Sequence, residues 1–225
     1  MPFRPSTRAW LFCLPLLLSN GAGLVMTSGN AWAQAPAVAR VAETLWRLDR
    51  DRDGITVQTR PVPGSGIREF RGTAEVAASV EAIRALLRDA DRFHTWFPDT
   101  SESRLLERTG DVSYQYSVLD TPWPITDRDN VFRAETTRDE TTGVVAISVQ
   151  AAPDRHPERP DRVRVRHARG EWRLEPIAVE RTRVVFTMHL DPGGGVPQWL
   201  INARVVETPF EALRNLRATL AAAEG

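Results

Sequence analysis

The sequence contains no lysine: all 29 basic residues are arginine, and 29 acidic residues balance them. No basic block stands alone, so there is no electrostatic case for binding nucleic acid or an anionic membrane surface. Cysteine is nearly absent as well, with Cys13 the single example. Four histidines (His94, His156, His167 and His189) share no His-x-x-x-His spacing, and zinc sites are built from such ligands together with cysteine. No Gly-x-Ser-x-Gly elbow is present. With Cys13 confined to the first segment, a Cys/His nucleophile is closed to the folded domain. Gly193-Gly194-Gly195 precedes a helical stretch but lacks the Lys-Ser/Thr ending and the βαβ setting of a phosphate loop. No catalytic residue, metal or cofactor is therefore expected.

The first 33 residues read as a secretory signal peptide. Arg4 and Arg8 supply a positive start, Ala9 to Leu18 an apolar stretch, and Ala31-Trp32-Ala33 a small-x-small cleavage site. An uncleaved membrane anchor is the alternative, but the apolar run stops well short of the ~20 residues that span a bilayer. Cys13 has no Leu-Ala-Gly before it that would mark lipid attachment. Cleavage after Ala33 removes Arg4 and Arg8 and no acid, leaving 192 residues with 27 basic against 29 acidic. That length suits one domain with a sizeable core. The expected organisation is a signal peptide over 1–33, a linker over 34–40 and a domain over 41–222, periplasmic or secreted and monomeric.

Within that domain, Val41 to Arg47 reads as a short helix, and Asp53-Gly54 as a turn into an alternating strand, Ile55 to Val62. Asp49 to Gly54 imitates the start of a calcium loop, but position twelve, which needs a bidentate carboxylate, is Arg60. Ile67 to Val76 follows as a hairpin partner. Ser79 offers a cap for a helix with Ala82, Ile83, Leu86 and Leu87 at helical spacing, and a second short helix holds Arg92 to Phe97. From Thr100 to Leu190 the pattern alternates. Val112, Tyr114, Tyr116 and Val118 fall on one face, as do Asn130, Phe132 and Ala134; Val145, Ile147 and Val149; Val163, Val165 and His167; Trp172 and Leu174; and Val184, Phe186 and Met188. Such one-sided alternation describes an antiparallel sheet with one apolar face. Asp154 to Asp161, rich in proline and charge, reads as an exposed connection.

The last segment carries a stripe of Trp199, Ala203, Val206, Phe210, Leu213, Leu216 and Leu220 at i+3/i+4 spacing. A curved sheet needs a cover for its apolar face, and this helix can supply it. The fold class is α+β.

Three stretches resemble a known family. Thr121 to Val131 resembles the Pro-x-x-x-Arg-Asp-Phe/Tyr-Val segment of START domains, the lipid-transfer domains related to the steroidogenic acute regulatory protein. Gly170-Glu171-Trp172-Arg173-Leu174-Glu175-Pro176 resembles the Gly-x-Trp-x-Leu-x-Pro strand of phosphatidylcholine-transfer-like members, and Asp191 to Asn202 resembles the glycine-rich approach to their last helix. The resemblance implies a helix-grip fold, a bent antiparallel sheet wrapped around the C-terminal helix, enclosing a tunnel for a lipid or another small hydrophobic molecule. It implies a lid made of the 119–127 loop, with Trp123, and the last helix, with Gly194 at its hinge. Pro209, inside that helix, deletes the bond to the carbonyl of Val205 and marks a tolerated kink or a flexible point in the lid.

The expected cavity set is Tyr114, Tyr116, Phe132, Trp172, Phe186, Met188, Trp199, Val206 and Phe210; the alternative is that they pack together as a solid core. Asn130, His167 and Asn202 are candidate polar contacts, with Arg204 a weaker one; Asn130 and His167 could equally be interior residues satisfied by backbone. Family members that bind sterol or ceramide carry an acid/base pair on the cavity face, whereas Asn130, Phe132 and Ala134 point inward here and Arg133 outward. No charged contact carries over. The expected function is lipid binding or transfer, with transient membrane contact and no nucleic acid. The rival is an enzyme resembling polyketide cyclases and dehydratases, for which His167 is the available acid/base group. A protein-interaction module is a third reading and predicts a filled core.

Overall fold

In the computed structural model, residues 46–223 are described. The segments expected to be a signal peptide (1–33, with Cys13) and a linker (34–40), and most of the helix expected at 41–47, lie outside them. Ten strands form one sheet: β1 (Arg47–Arg52), β2 (Ile55–Arg60), β3 (Glu69–Val76), β4 (Thr100–Thr109), β5 (Val112–Leu119), β6 (Arg128–Arg138), β7 (Val145–Ala151), β8 (Val163–Arg164), β9 (His167–Ala178) and β10 (Arg181–Asp191). The order across it is β1-β2-β3-β10-β9-β7-β6-β5-β4, antiparallel at every step, with β8 pairing parallel to β6 off this path. Helix α1 (Val80–Arg88) and a 3₁₀ turn (Ala90–Thr95) bridge β3 and β4, and α2 (Gln198–Ala223) ends the chain.

The local reasons are mostly those in the sequence. Ser79 caps α1, its Oγ accepting from the Ala82 amide at 3.3 Å. Ile55, Val57, Ala74, Val184 and Phe186 fill the concave side of the sheet, and α2 lies across it with Phe210, Ala212, Leu213, Leu216 and Leu220 buried. The helix approaches β3 at Gly72, where a Cβ would sit 2.9 Å from Leu213 Cδ1 and 3.0 Å from Pro209 Cβ. Any larger residue there would push α2 off the sheet. Polar clamps fix the helix as well. Arg217 donates to the carbonyls of Glu75, Asp53 and Gly54 at 2.7–2.9 Å, and Arg50 grips Glu207 through two bonds of 3.1 and 2.7 Å.

Two expectations change and a third gains a detail. Arg47 opens a strand rather than closing a helix, and Asp49 to Arg52 belong to β1; only Asp53 and Gly54, both at positive φ, make the turn. β1 is a charged edge strand with no apolar alternation to betray it. The connection after β7 is exposed along most of 154–161, as expected, but it is anchored: buried Arg164 gathers the carbonyls of Pro153, His156 and Pro157 onto the back of the sheet. Finally, the first half of the α2 stripe is displaced: Trp199 and Ala203 are exposed, and Ile201 and Val205 turn toward the sheet instead.

Candidate ligand cavity

The sheet and α2 do not meet everywhere. Toward the β5–β6 side they enclose a cavity of about 240 Å³. Its wall is aromatic. Trp172 and Phe186, opposite one another on β9 and β10, stack at 3.8 Å with their planes 4° apart, and Phe70 meets Phe186 edge-on at 5.0 Å. Phe93 and Phe97, stacked at 4.4 Å, close the side next to α1. Met188, Ile147 and Val149 continue the apolar surface; Leu200, Ile201, Val205 and Thr208 of α2 form the roof; Leu119, Pro122, Pro192 and Val196 stand at the mouth.

One patch of the lining is polar and neutral. Asn130 on β6 pairs in register with Ser117 on β5, and Phe132 with Gln115, so all four share the cavity face. Asn130 is fully buried, and neither its Oδ1 nor its Nδ2 has a hydrogen-bond partner among the described residues.

The charged groups at the rim are committed to protein partners. Arg204 pairs with Asp99 at 2.6 Å, and Arg68 donates to Thr59 Oγ1 at 2.7 Å. Arg128, buried, donates to the carbonyls of Thr126, Pro192 (3.4 Å) and Gly193 (3.1 Å), tying the mouth loop to the start of α2. Burial pulls its pKa below the usual arginine value, partly countered by Asp127. The Asp127 carboxylate accepts from the Thr121 amide at 2.9 Å and pairs with Arg162; the amide bond is the chief reason it lies below the usual carboxylate range. Gly194, at φ +64°, leaves room for Arg128, whose Nη2 would be 3.3 Å from a Cβ there.

The expected residues divide sharply. Phe132, Trp172, Phe186, Met188 and Asn130 line the cavity. Tyr114 and Tyr116 do not: they point out of the opposite face of β5. Tyr116 is buried there with Val118 and Val131 in a second, smaller cluster, under the Arg104 guanidinium and the His156 ring, while the Tyr114 hydroxyl accepts from Arg155 at 2.8 Å. The alternation in β5 is real; the inward set is Gln115, Ser117 and Leu119. Val206 and Phe210 pack in the main core but off the cavity, with the Arg50 guanidinium 4.8 Å from the Phe210 ring. Trp199 is 72% exposed and lies outside, on a surface crevice that also holds Trp123, 92% exposed, and Gly194.

His167 is exposed at the first position of β9, opposite Asp191 in the register; Gly170 and Trp172 have the inward parity. The acid/base group available to an enzymatic reading is therefore outside the cavity. Asn202 is exposed and accepts from Gln198 Nε2 at 3.3 Å. Arg133 pairs with Glu135 at 2.8 Å, away from the lining. Pro209 is buried against Gly72, one residue past the cavity-lining Thr208. The other histidines are apart: His94 meets Ser103 Oγ at 2.9 Å, His189 meets Ser65 Oγ at 3.1 Å, and His156 lies on the back of the sheet.

Comparison with known proteins agrees with this architecture. A family model described as the START domain matches residues 33–224. An uncharacterized protein of Pseudomonas aeruginosa is 36% identical over 173 residues, 77% of this chain and 85% of its own. Phosphatidylcholine transfer protein of Mus musculus is 26% identical over 163 residues, 70% of this chain and 75% of its own. Among solved structures, a STAR-related lipid transfer protein fragment from Xanthomonas axonopodis aligns with TM-score 0.74 at 40% identity, covering 79% of this chain and 99% of that one. Human StAR-related lipid transfer protein 5, at 18% identity, shares the fold with TM-score 0.69 over 84% of this chain and 94% of its own.

Proposed function

The chain belongs to the START domain family, and from that premise we propose that it is a lipid-binding carrier, sheltering the apolar part of a ligand between the sheet and α2. The observation that carries the reading is the cavity itself, aromatic and aliphatic on most sides and roofed by one helix. Transfer of hydrocarbon out of water is worth about 0.8 kcal/mol per methylene, so a dozen methylenes supply on the order of 10 kcal/mol before the costs of binding. Affinity needs no ionic clamp. The names of the mouse and Xanthomonas relatives, both lipid transfer proteins, point the same way.

The chemistry in this reading is reversible burial, with no bond made or broken. Two things support it: the rim charges are engaged with one another or with backbone, and His167 is outside the lining. The chain works as a monomer, exported by cleavage after Ala33, and exchanges its ligand at a membrane surface. Trp123 and Trp199 suit such contact, because an indole offers an apolar body and one polar N–H.

Native mass spectrometry of the protein purified from cell envelopes tests the main claim. A co-purifying lipid of defined mass, released on unfolding, is expected. Preparations that carry nothing and bind none of a panel of labelled lipids would end the carrier reading. Amino-terminal sequencing of the same material should begin at Gln34; an intact Met1 in the envelope fraction would reject cleaved export.

A further inference from the structure

The one polar spot in the wall constrains the ligand further. Asn130 is held on a central strand with its carboxamide fully buried and aimed into the cavity. Neither Oδ1 nor Nδ2 has a partner among the described residues, so exchanging the two atoms by flipping the amide changes nothing. A buried amide left this way costs stability, and native proteins rarely leave both ends unmade. It offers two donor hydrogens and one acceptor oxygen side by side. The group that answers it must both accept and donate.

Its neighbours across the strand pair are uncharged. Ser117, directly across the strand pair, and Gln115, one pair further on, are neutral. The arginines that border the cavity are already taken: Arg68 by Thr59, Arg128 by the Pro192 and Gly193 carbonyls, Arg204 by Asp99. An anionic headgroup brought to Asn130 would lose its water, and Arg68 and Arg128 could answer it only by leaving the protein oxygens they already bond.

We infer that the ligand enters with a neutral donor-acceptor group leading, a hydroxyl or a carboxamide, which pairs with Asn130 while the hydrocarbon lies along Trp172 and Phe186. Asn130 is then the residue that selects among apolar ligands, and it selects an alcohol-type or amide-type lipid over a fatty-acid anion or a plain ester. This rests on the carrier reading and goes beyond it by naming the headgroup.

The test holds the chain length constant and varies the head. Dodecane, methyl dodecanoate, sodium dodecanoate, 1-dodecanol and dodecanamide are titrated into the full mature protein, with intrinsic tryptophan fluorescence as the readout. The alcohol and the amide should bind at least tenfold more tightly than the other three. In Asn130→Leu that preference should vanish while dodecane binds as well as before or better; Asn130→Ser, which keeps a small donor-acceptor group, should retain part of it. The serine variant keeps the test open if the leucine variant does not fold. Equal binding of all five, tightest binding of dodecanoate, or an undiminished preference in Asn130→Leu overturns the inference and leaves the carrier reading intact. Binding of none of the five overturns both.

Discussion

Asp129 and Arg164 form a two-pronged ion pair sealed behind the cavity wall, with Nε to Oδ1 and Nη2 to Oδ2 both at 2.9 Å and side chains 1–2% exposed. Asp129 immediately precedes Asn130 on β6, so the strand that presents a carboxamide to the cavity is anchored on its other face by a carboxylate. The remaining Arg164 hydrogens go to three carbonyls of the 153–157 segment. A buried pair of this kind is not a large net gain, but removing one partner strands the other charge, at about 3–5 kcal/mol. Arg164→Met should therefore destabilise by that order in urea titrations. Asp129→Leu combined with Arg164→Met should recover a substantial part of the loss. A double variant as unstable as the sum of its singles would show that the pair is not coupled.

That pair also marks the limit of what the sequence makes legible. The one-sided sheet covered by a C-terminal helix, the α1 cap at Ser79 and the inward faces of β6, β7 and β10 follow from alternation and spacing, while the helix-grip wrapping is what the family resemblance implies. The faces of β5 do not. Tyr114, Tyr116 and Val118 are the more apolar set, and periodicity cannot tell a main core from a second one; the polar Gln115 and Ser117 are the inward set because the back of the sheet is covered by the segment that Arg164 holds. The hidden signal was the register, since a partner of Asn130 must share its face. Periodicity misplaces Trp199 and His167 for a related reason. Both lie near the end of an element, where parity or helical phase can change without altering the composition.

The same back cluster should sense acid through His156. Burial chiefly, then the neighbouring Arg104 and Arg164 cations, lowers its pKa from 6.5, and Arg104 Nη2 donates to Nε2 at 2.9 Å, which requires that nitrogen to be unprotonated. The fold favours the neutral ring, whereas the unfolded chain takes a proton at the ordinary value. The stabilisation is thus complete above 6.5 and is lost as pH falls toward the lowered folded value. His156→Phe keeps a ring against Tyr116 and should flatten the melting temperature between about pH 7.5 and about pH 5 relative to wild type. An unchanged slope would place the acid sensitivity elsewhere.

Membrane contact can be separated from ligand binding at the mouth. Trp123 and Trp199 are exposed on one crevice and contribute little to the core, so Trp123→Ala and Trp199→Ala should leave the melting temperature nearly unchanged. Each should weaken sedimentation with phosphatidylcholine vesicles several-fold, and the double variant more. Because 29 basic residues balance 29 acidic ones, the wild-type interaction should change little between low and physiological salt. Full vesicle binding by the double variant would remove the two tryptophans from the docking surface.

Pro209 divides α2 into two parts that do different things. On its C-terminal side Phe210, Ala212, Leu213, Leu216 and Leu220 are buried, and Arg217 is bonded to three carbonyls of the β1–β2 turn and β3. On its N-terminal side Trp199, Asn202 and Ala203 are exposed and the inward residues roof a cavity instead of a packed core. Lacking an N–H, Pro209 cannot bond the carbonyl of Val205, itself a lining residue, so the ladder is weakest where the anchored part ends. The N-terminal part is therefore the piece that can lift while the rest stays docked, once the exposed Arg204–Asp99 pair and the Arg50–Glu207 pair have parted. Pro209→Ala restores a donor at that point and a helix-favouring residue. Release of a bound fluorescent lipid, followed by stopped flow, should slow several-fold, with equilibrium affinity changed less than the rate. A release rate equal to wild type in a well-folded variant would mean that the ligand leaves by another route, past the 119–127 loop alone.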